Sequence, residues 1–236
     1  MQTVSVSFFR FDSVLARVWV LGQMGAARLD FARMPDVTFW KLCGSGVGEG
    51  FTPKPNTAVW AILAVWKDED SARRAIDAAA VYTRWRSHAS ESWTVFLSTL
   101  SARGEWSGKA PFSETETRRD GPLAALTRAT IKPTALRHFW GQEPAISAAI
   151  GRNRDVLFKI GIGEVPFLHQ VTFSIWPDAK SMFEFARAGG PHAEAIRRVR
   201  EGGWFREELY ARFQVLGATG TWAGMNPLAQ SERTAA

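Results

Sequence analysis

ILAVWKDEDSARRA, residues 62–75, reads as the end of a strand, a turn and the start of a helix, and TFSIWPDAKSMFEF, residues 172–185, reads the same way. Set one above the other, they match Trp66 with Trp176, Asp68 with Asp178 and Ser71 with Ser181. Each aspartate stands where an apolar strand gives way to a helix, and its carboxylate can cap a free backbone N–H of the first turn. Any strand-to-helix junction needs such residues, so the matches establish shared architecture. A second pairing sets FWKLCG, residues 39–44, over LFKIGI, residues 157–162, and aligns Lys41 with Lys159 and Cys43 with Gly161.

Outward from these anchors, hydrophobic period gives the first half a strand near 3–11, a helix over 13–33, strands near 37–43 and 57–66, a helix over 68–88 and a strand near 92–101. The second half repeats the order: a strand near 123–132, a helix near 134–151, strands near 155–162 and 167–176, a helix over 178–201 and a strand near 209–217. Each half is βαββαβ, the ferredoxin-like unit, whose helices cover one face of an antiparallel sheet and leave the other to be covered. Two units in one chain can cover each other. The expected fold class is therefore α+β, with two fused ferredoxin-like units forming a dimeric-type α+β barrel. The halves are placed at 1–104 and 121–224, with a surface linker over 105–120 and a disordered tail over 225–236. The Gly/Pro-rich loop at 45–56 belongs to the first half alone, and its glycines do not make GxGxxG before a helix.

The chain has 236 residues, a net charge of +6 and one cysteine, Cys43, so no internal disulfide can form. No apolar run is long enough to span a bilayer and the N-terminus lacks a signal-peptide layout; a cytoplasmic protein is expected. The positive charge suits an acidic partner, whether protein or anionic membrane surface. Nucleic acid is not expected, because the strands carry no RNP-type aromatic pattern. The 11 tryptophans and 16 phenylalanines fit either a large core or a long apolar cavity. Paired Cys motifs, HExxH and GxSxG are all missing, which removes the sequence support for zinc chemistry and for a nucleophile elbow.

The four histidines remain. His88 ends a helix and suits C-capping, and His138 follows the first turn of the third long helix and reads as structural. His169 shares a strand face with Val171, Phe173 and Ile175, a face expected to meet the helices. His192 follows Gly189-Gly190-Pro191 at a helix start, with Ala195, Ile196 and Val199 on its own stripe. Such a histidine can be a core residue or a ligand, and the two glycines leave room for a flat cofactor. The related position in the first half is Tyr82, so the halves do not bind the same group.

SFFRFDSVLARVWVLGQM (7–24), PDVTFWKL (35–42), GEGFTPKPNTAVWAILA (48–64), ATIKPTALRHFW (129–140), GGPHAEAIRRVREGGWFREELYARF (189–213) and GTWAG (220–224) together resemble the spheroidene monooxygenases, carotenoid ketolases of purple photosynthetic bacteria. The resemblance covers nearly the whole chain. It implies a heme b enzyme that uses O2 and reduced ferredoxin to place a keto group on C-2 of spheroidene or hydroxyspheroidene. Two hydroxylations at one carbon give a geminal diol that loses water to the ketone. The fold resembles the dimeric α+β barrel superfamily, several of whose heme enzymes carry the proximal histidine on a helix of one unit, and this carries the iron-ligand role to His192. His169 becomes a rival ligand or an oxygen-side partner. Cys43 is another rival, although a small buried hydrophobe is its commoner role. Phe173 and Phe213 become pocket walls for the polyene, facing the helices. Peripheral contact with the photosynthetic membrane follows from the insolubility of the substrate, with Arg197, Arg198 and Arg200 as contacts. A non-catalytic heme or carotenoid carrier is the alternative, and a homo-oligomer stays open.

Overall fold

The computed structural model describes residues 1–48, 50, 52–115, 120–141, 156–187 and 202–229. The first half runs β1 (Thr3–Arg10), α1 (Val14–Ala32), β2 (Val37–Gly46), β3 (Pro55–Trp66), α2 (Glu69–Ala78), α3 (Ala80–His88) and β4 (Glu91–Gly104). The second runs β5 (Leu123–Ile131), a 3-10 turn (Pro133–Ala135) leading into helical residues 136–141, β6 (Phe158–Gly163), β7 (His169–Trp176), α4 (Ala179–Arg187) and β8 (Phe205–Gly220). The two anchor aspartates do the same work: Asp68 accepts from the Ser71 N–H and Asp178 from the Ser181 N–H, each at 2.7 Å.

All strands pair antiparallel in one closed barrel, β1-β3-β2-β6-β7-β5-β8-β4. Within it each half keeps the ferredoxin-like order, β4-β1-β3-β2 and β8-β5-β7-β6, and the halves meet at two unlike junctions. β4 and β8 pair continuously from Trp93–Gly220 to Gly104–Leu209, with two register shifts. β2 and β6 pair at Gly44–Gly163 and Ser45–Ile162 alone. The Gly/Pro loop after β2 crosses this short seam. Gly50 (φ +88°) lies so close to β6 that a Cβ would sit 2.1 Å from the Gly161 carbonyl, and the Ser45 hydroxyl donates to that carbonyl at 2.8 Å.

Because strand side chains alternate, one set from every strand fills the barrel. Phe8, Trp93, Phe158, Phe173 and Trp222 stack there, and Phe213 packs edge-on to Phe112 at 5.2 Å. The other set in the first half, with Phe9, Trp60 and Trp66, meets α1, α2 and α3, from which Phe31, Ile76, Tyr82 and Trp85 pack back. Most of the aromatic surplus is therefore core.

Several sequence expectations are corrected. The 105–120 segment is not a plain surface linker: Trp106 is fully buried and Phe112 nearly so, both inside the barrel. The tail is ordered through residue 229, since Leu228 joins the barrel core and Asn226 accepts from the Trp93 indole at 3.3 Å. The 68–88 helix is two helices, because Ala79 is extended (φ −67°, ψ 138°). The Lys41–Lys159 alignment is one residue out of step. Lys41 points into the barrel beside Phe39, whereas Lys159 pairs with Ser174 on the helix side, and a slip of one residue exchanges the two faces of a strand. The paired registers instead set Trp40 with Lys159 and Leu42 with Gly161.

Candidate functional site

The corrected registers make the two helix-facing sheet surfaces directly comparable. In the first half one row reads Leu42, Ile62, Ser7, Thr94 and the next Trp40, Ala64, Ser5, Phe96. The corresponding rows in the second half read Gly161, Thr172, Thr127, Tyr210 and Lys159, Ser174, Ala125, Arg212. Trp60 and Phe9 are likewise answered by Gln170 and Ala129. Five bulky apolar side chains, Trp40, Leu42, Trp60, Ile62 and Phe96, give way to Lys159, Gly161, Gln170, Thr172 and Arg212, while Thr94 is answered by the larger Tyr210. Large side chains of the first face pack under α1–α3. Tyr82 shows what the related helix position does when that space is filled: it is fully buried on α3, 6.3 Å from the Trp66 ring and 6.0 Å from Phe31.

A cleft of about 350 Å³ lies over the β2–β6 seam, between α1 and the second-half helical segment. Leu21 and Met24 form one wall, Trp140, Val165 and Phe167 the other, with Gly44, Trp60 and Gln170 on the floor. The Trp60 ring lies beside Gly44 on that floor, 3.5 Å from where a Cβ would stand. The cleft thus runs from α1 toward the small, polar face of the second half. The Trp140 indole donates to the Phe167 carbonyl at 3.0 Å, and Phe167 keeps a left-handed backbone (φ +67°) with its ring half exposed.

His169 and Glu164 close the cleft toward the barrel mouth, where a charged network begins. Lys41 Nζ lies 2.7 Å from Glu164 Oε1, the Trp106 indole donates to Oε2 at 2.6 Å, and His169 Nδ1 lies 3.3 Å from Oε2, out of line for a good hydrogen bond. Arg128, 1% exposed, bonds Glu207 and reaches within 4.0 Å of Glu164 Oε2. Glu207 also accepts from the backbone N–H of Ser107 and Gly108. Burial by itself would raise the Glu164 carboxyl, but contacts with His169, Lys41 and Trp106 and the Lys41 charge outweigh it and hold the group at about 2.

This depression has a pH consequence. Folding favours the ionised form, so the Glu164 contribution is complete above the ordinary value of 4.5 and is lost as pH falls toward 2; it amounts to about 3 kcal/mol. Glu164→Gln is expected to flatten the acid limb of stability across that window, measured by urea unfolding at stepped pH. An acid limb of unchanged slope would show that Glu164 does not carry it.

The residues singled out by sequence separate. Phe173 and Phe213 are fully buried inside the barrel and do not face the helices, and neither lines the cleft. His169 is on the barrel side of β7 and not on the helix side: its strand neighbours Val171, Phe173 and Ile175 all point inward. Cys43 is also interior, and burial followed by the Glu164 charge pushes its thiol well up, so it behaves as a small core hydrophobe. His88 stacks on Trp19 at 3.8 Å and bonds the Arg84 carbonyl; His138 is exposed, 6.1 Å from Trp204. His192 lies outside the described residues, as do Ala195, Ile196, Val199, Arg197, Arg198 and Arg200. Sequence reading missed Lys41, Glu164, Arg128 and Glu207. The usable signal was a cation at an inward position of an apolar strand, in LAALTRATI and in FWKLCG.

No family model matches the chain. Aldoxime dehydratase has the same fold: its crystal structure superposes with a TM-score of 0.61 at 10% identity, over 91% of this chain and 82% of that one. Three proteins named spheroidene monooxygenase match in sequence. That of Cereibacter sphaeroides is 58% identical over 98% of this chain and 72% of its own length, and that of Rhodobacter capsulatus is 51% identical over 97% and 96%. The Rubrivivax gelatinosus protein is 32% identical over 89% of this chain and 80% of its own length. An alternating strand pattern, a doubled ferredoxin-like barrel and a sequence match that covers almost the whole chain lead to one conclusion: the chain belongs to the spheroidene monooxygenase family.

Proposed function

We propose that the chain is a heme-dependent monooxygenase that places a keto group at C-2 of spheroidene or hydroxyspheroidene, using O2 and reduced ferredoxin, while in peripheral contact with a membrane. The observation that carries this reading is the exchange of Trp40, Leu42, Trp60 and Ile62 on one helix-facing sheet surface for Lys159, Gly161, Gln170 and Thr172 on the other. His192 is related by sequence to Tyr82, the fully buried α3 residue beside Trp66, and the iron is assigned to it on that alignment. In this reading His192 would hold the iron, and Thr127, Thr172 and Lys159 of the second sheet face would offer the heme polar contacts. Heme, when bound, supplies the one-electron oxidant that side chains lack and that an unactivated C–H bond demands.

The rest of the work falls to the chain. Leu21, Met24, Trp60 and Phe167 give the polyene end an apolar path over the seam and keep water from it. His169, with Nδ1 toward Glu164, is assigned proton supply from the cleft wall in place of the oxygen-side role expected from sequence. Each hydroxylation takes up one O2, two electrons and two protons, and releases one water. The second yields the geminal diol, whose dehydration gives the ketone. The acidic electron donor is matched by the net charge of +6.

Protein purified from heme-sufficient cells is expected to show an intense Soret band whose pigment extracts into acidified organic solvent, since one cysteine cannot make the C-x-x-C-H attachment. A colourless protein that still forms ketone from spheroidene would overturn the heme assignment.

A further inference from the structure

α1 is amphipathic in the wrong sense for a helix facing water. Its inner side is packed through Val20, Ala27 and Phe31, yet its outer side carries Val14, Leu15, Val18, Leu21 and Leu29 at 73, 83, 63, 52 and 63% exposure. Between them lie Gly22, Gly25 and Ala26, which keep the strip shallow, and Arg28 is the one exposed charge on the helix. Contiguous apolar surface of this kind marks an interaction site. It is also continuous with the cleft, because Leu21 forms a cleft wall opposite Val165 and Phe167, themselves 41 and 49% exposed.

The exposed charges around the strip are mainly cationic. Arg28 lies on it, Arg33 is exposed just beyond its end, and Lys54 is exposed between two prolines of the cleft rim. The nearby acids are Asp12, ahead of the helix, and Asp30, which is paired with Arg84. A second copy docked here would bring Arg28 and its apolar neighbours against an identical strip on which the one carboxylate of the helix, Asp30, is already paired with Arg84. Lipid phosphates supply that partner, and acyl chains take the leucines and valines. No helix among the described residues is long and apolar enough to cross a membrane, so α1 would lie along the surface.

We infer that the outer face of α1 is the membrane-docking surface of this protein, laid on an anionic bilayer so that the cleft beside Leu21 and Phe167 opens toward lipid. The inference rests on the carotenoid reading for its purpose but not for its test. It moves the membrane contact from the arginines at 197–200 to α1 and gives a water-insoluble polyene a route that avoids solvent.

The test is flotation of the full-length protein with vesicles of phosphatidylglycerol and phosphatidylcholine, beside vesicles of phosphatidylcholine alone. Wild type is expected to float with the anionic vesicles, less at high salt. Leu15→Ser/Val18→Ser/Leu29→Ser should lower the bound fraction by at least about tenfold, with an unchanged melting curve because all three side chains are exposed. Should the triple variant fail to fold, Leu15→Glu decides the matter in the same assay. The same triple variant should keep its turnover on detergent-dispersed spheroidene and lose it on spheroidene held in vesicles. Flotation equal to wild type, or wild type that never floats, overturns the inference. So does a wild-type dimer that the triple variant converts to monomer with vesicle binding intact. Protein that floats but contains no heme would leave the docking surface standing and remove the heme reading.

Discussion

His192→Ala is expected to leave most of the protein without heme and to cut ketone formation by more than about a hundredfold, since loss of an outer partner of a metal ligand alone costs 10–100-fold. If His192 holds the iron as proposed, its removal would take away the bond that keeps heme in the protein. The melting temperature of the apo-form should change little if the residue serves as a ligand and not in packing. Added imidazole should restore part of the heme binding by filling the vacated axial site. His169→Ala should keep its heme, since that ring lies on the barrel side of β7. Heme content, thermal stability and product must be read on the same samples. A variant with wild-type spectrum and lowered stability would make His192 a packing residue.

Arg128→Ala is expected to cost about 3–5 kcal/mol of stability, the usual cost of removing one partner from a buried charge network. The guanidinium is 1% exposed, bonds Glu207, approaches Glu164 and lies over the Trp106 ring at 5.6 Å. Its loss leaves two carboxylates at the barrel mouth with Lys41 as the one remaining lysine or arginine in contact, among the described residues. For a chain of this size the melting point should fall by about 10 °C or more. Arg128→Met with Glu207→Gln should recover most of the loss, because the volume is kept, one negative charge goes and the amide oxygen can still accept from Ser107 and Gly108. Urea unfolding of both singles and the double closes the cycle. A cost under about 1 kcal/mol for Arg128→Ala would mean that water reaches the network and screens it.

The repeat was legible because a cap is a local device. Asp68 and Asp178 cap their helices with the same geometry, and Trp66 and Trp176 end their strands in the same way. The direction of Phe173 and Phe213 was not legible, because both faces of these strands are apolar enough to be buried and alternation does not say which is inside. The slip between Lys41 and Lys159 has the same origin. Ala79 breaks a helix in a run of alanines with neither glycine nor proline to mark the break, so the reading ran through it. The tail and the 105–120 segment look polar on average, yet Leu228, Trp106 and Phe112 anchor them singly, and composition averages single anchors away. The barrel-mouth network joins residues from four strands and two loops; spacing along the chain carries no trace of it.

The two-pair seam between β2 and β6 makes this ring a bracelet with a weak link. Parting it would bare the edge of β2 on one side and that of β6 on the other, complementary to each other and to the same edges of a neighbouring molecule. Molecules opened in this way would join head to tail, with nothing in the geometry to stop the chain growing. The turn that carries Gly50 over onto Gly161, with Ser45 bonded beneath it, is the clasp on that link. A loop that reads by composition as mere punctuation thus covers the weakest closure of the ring.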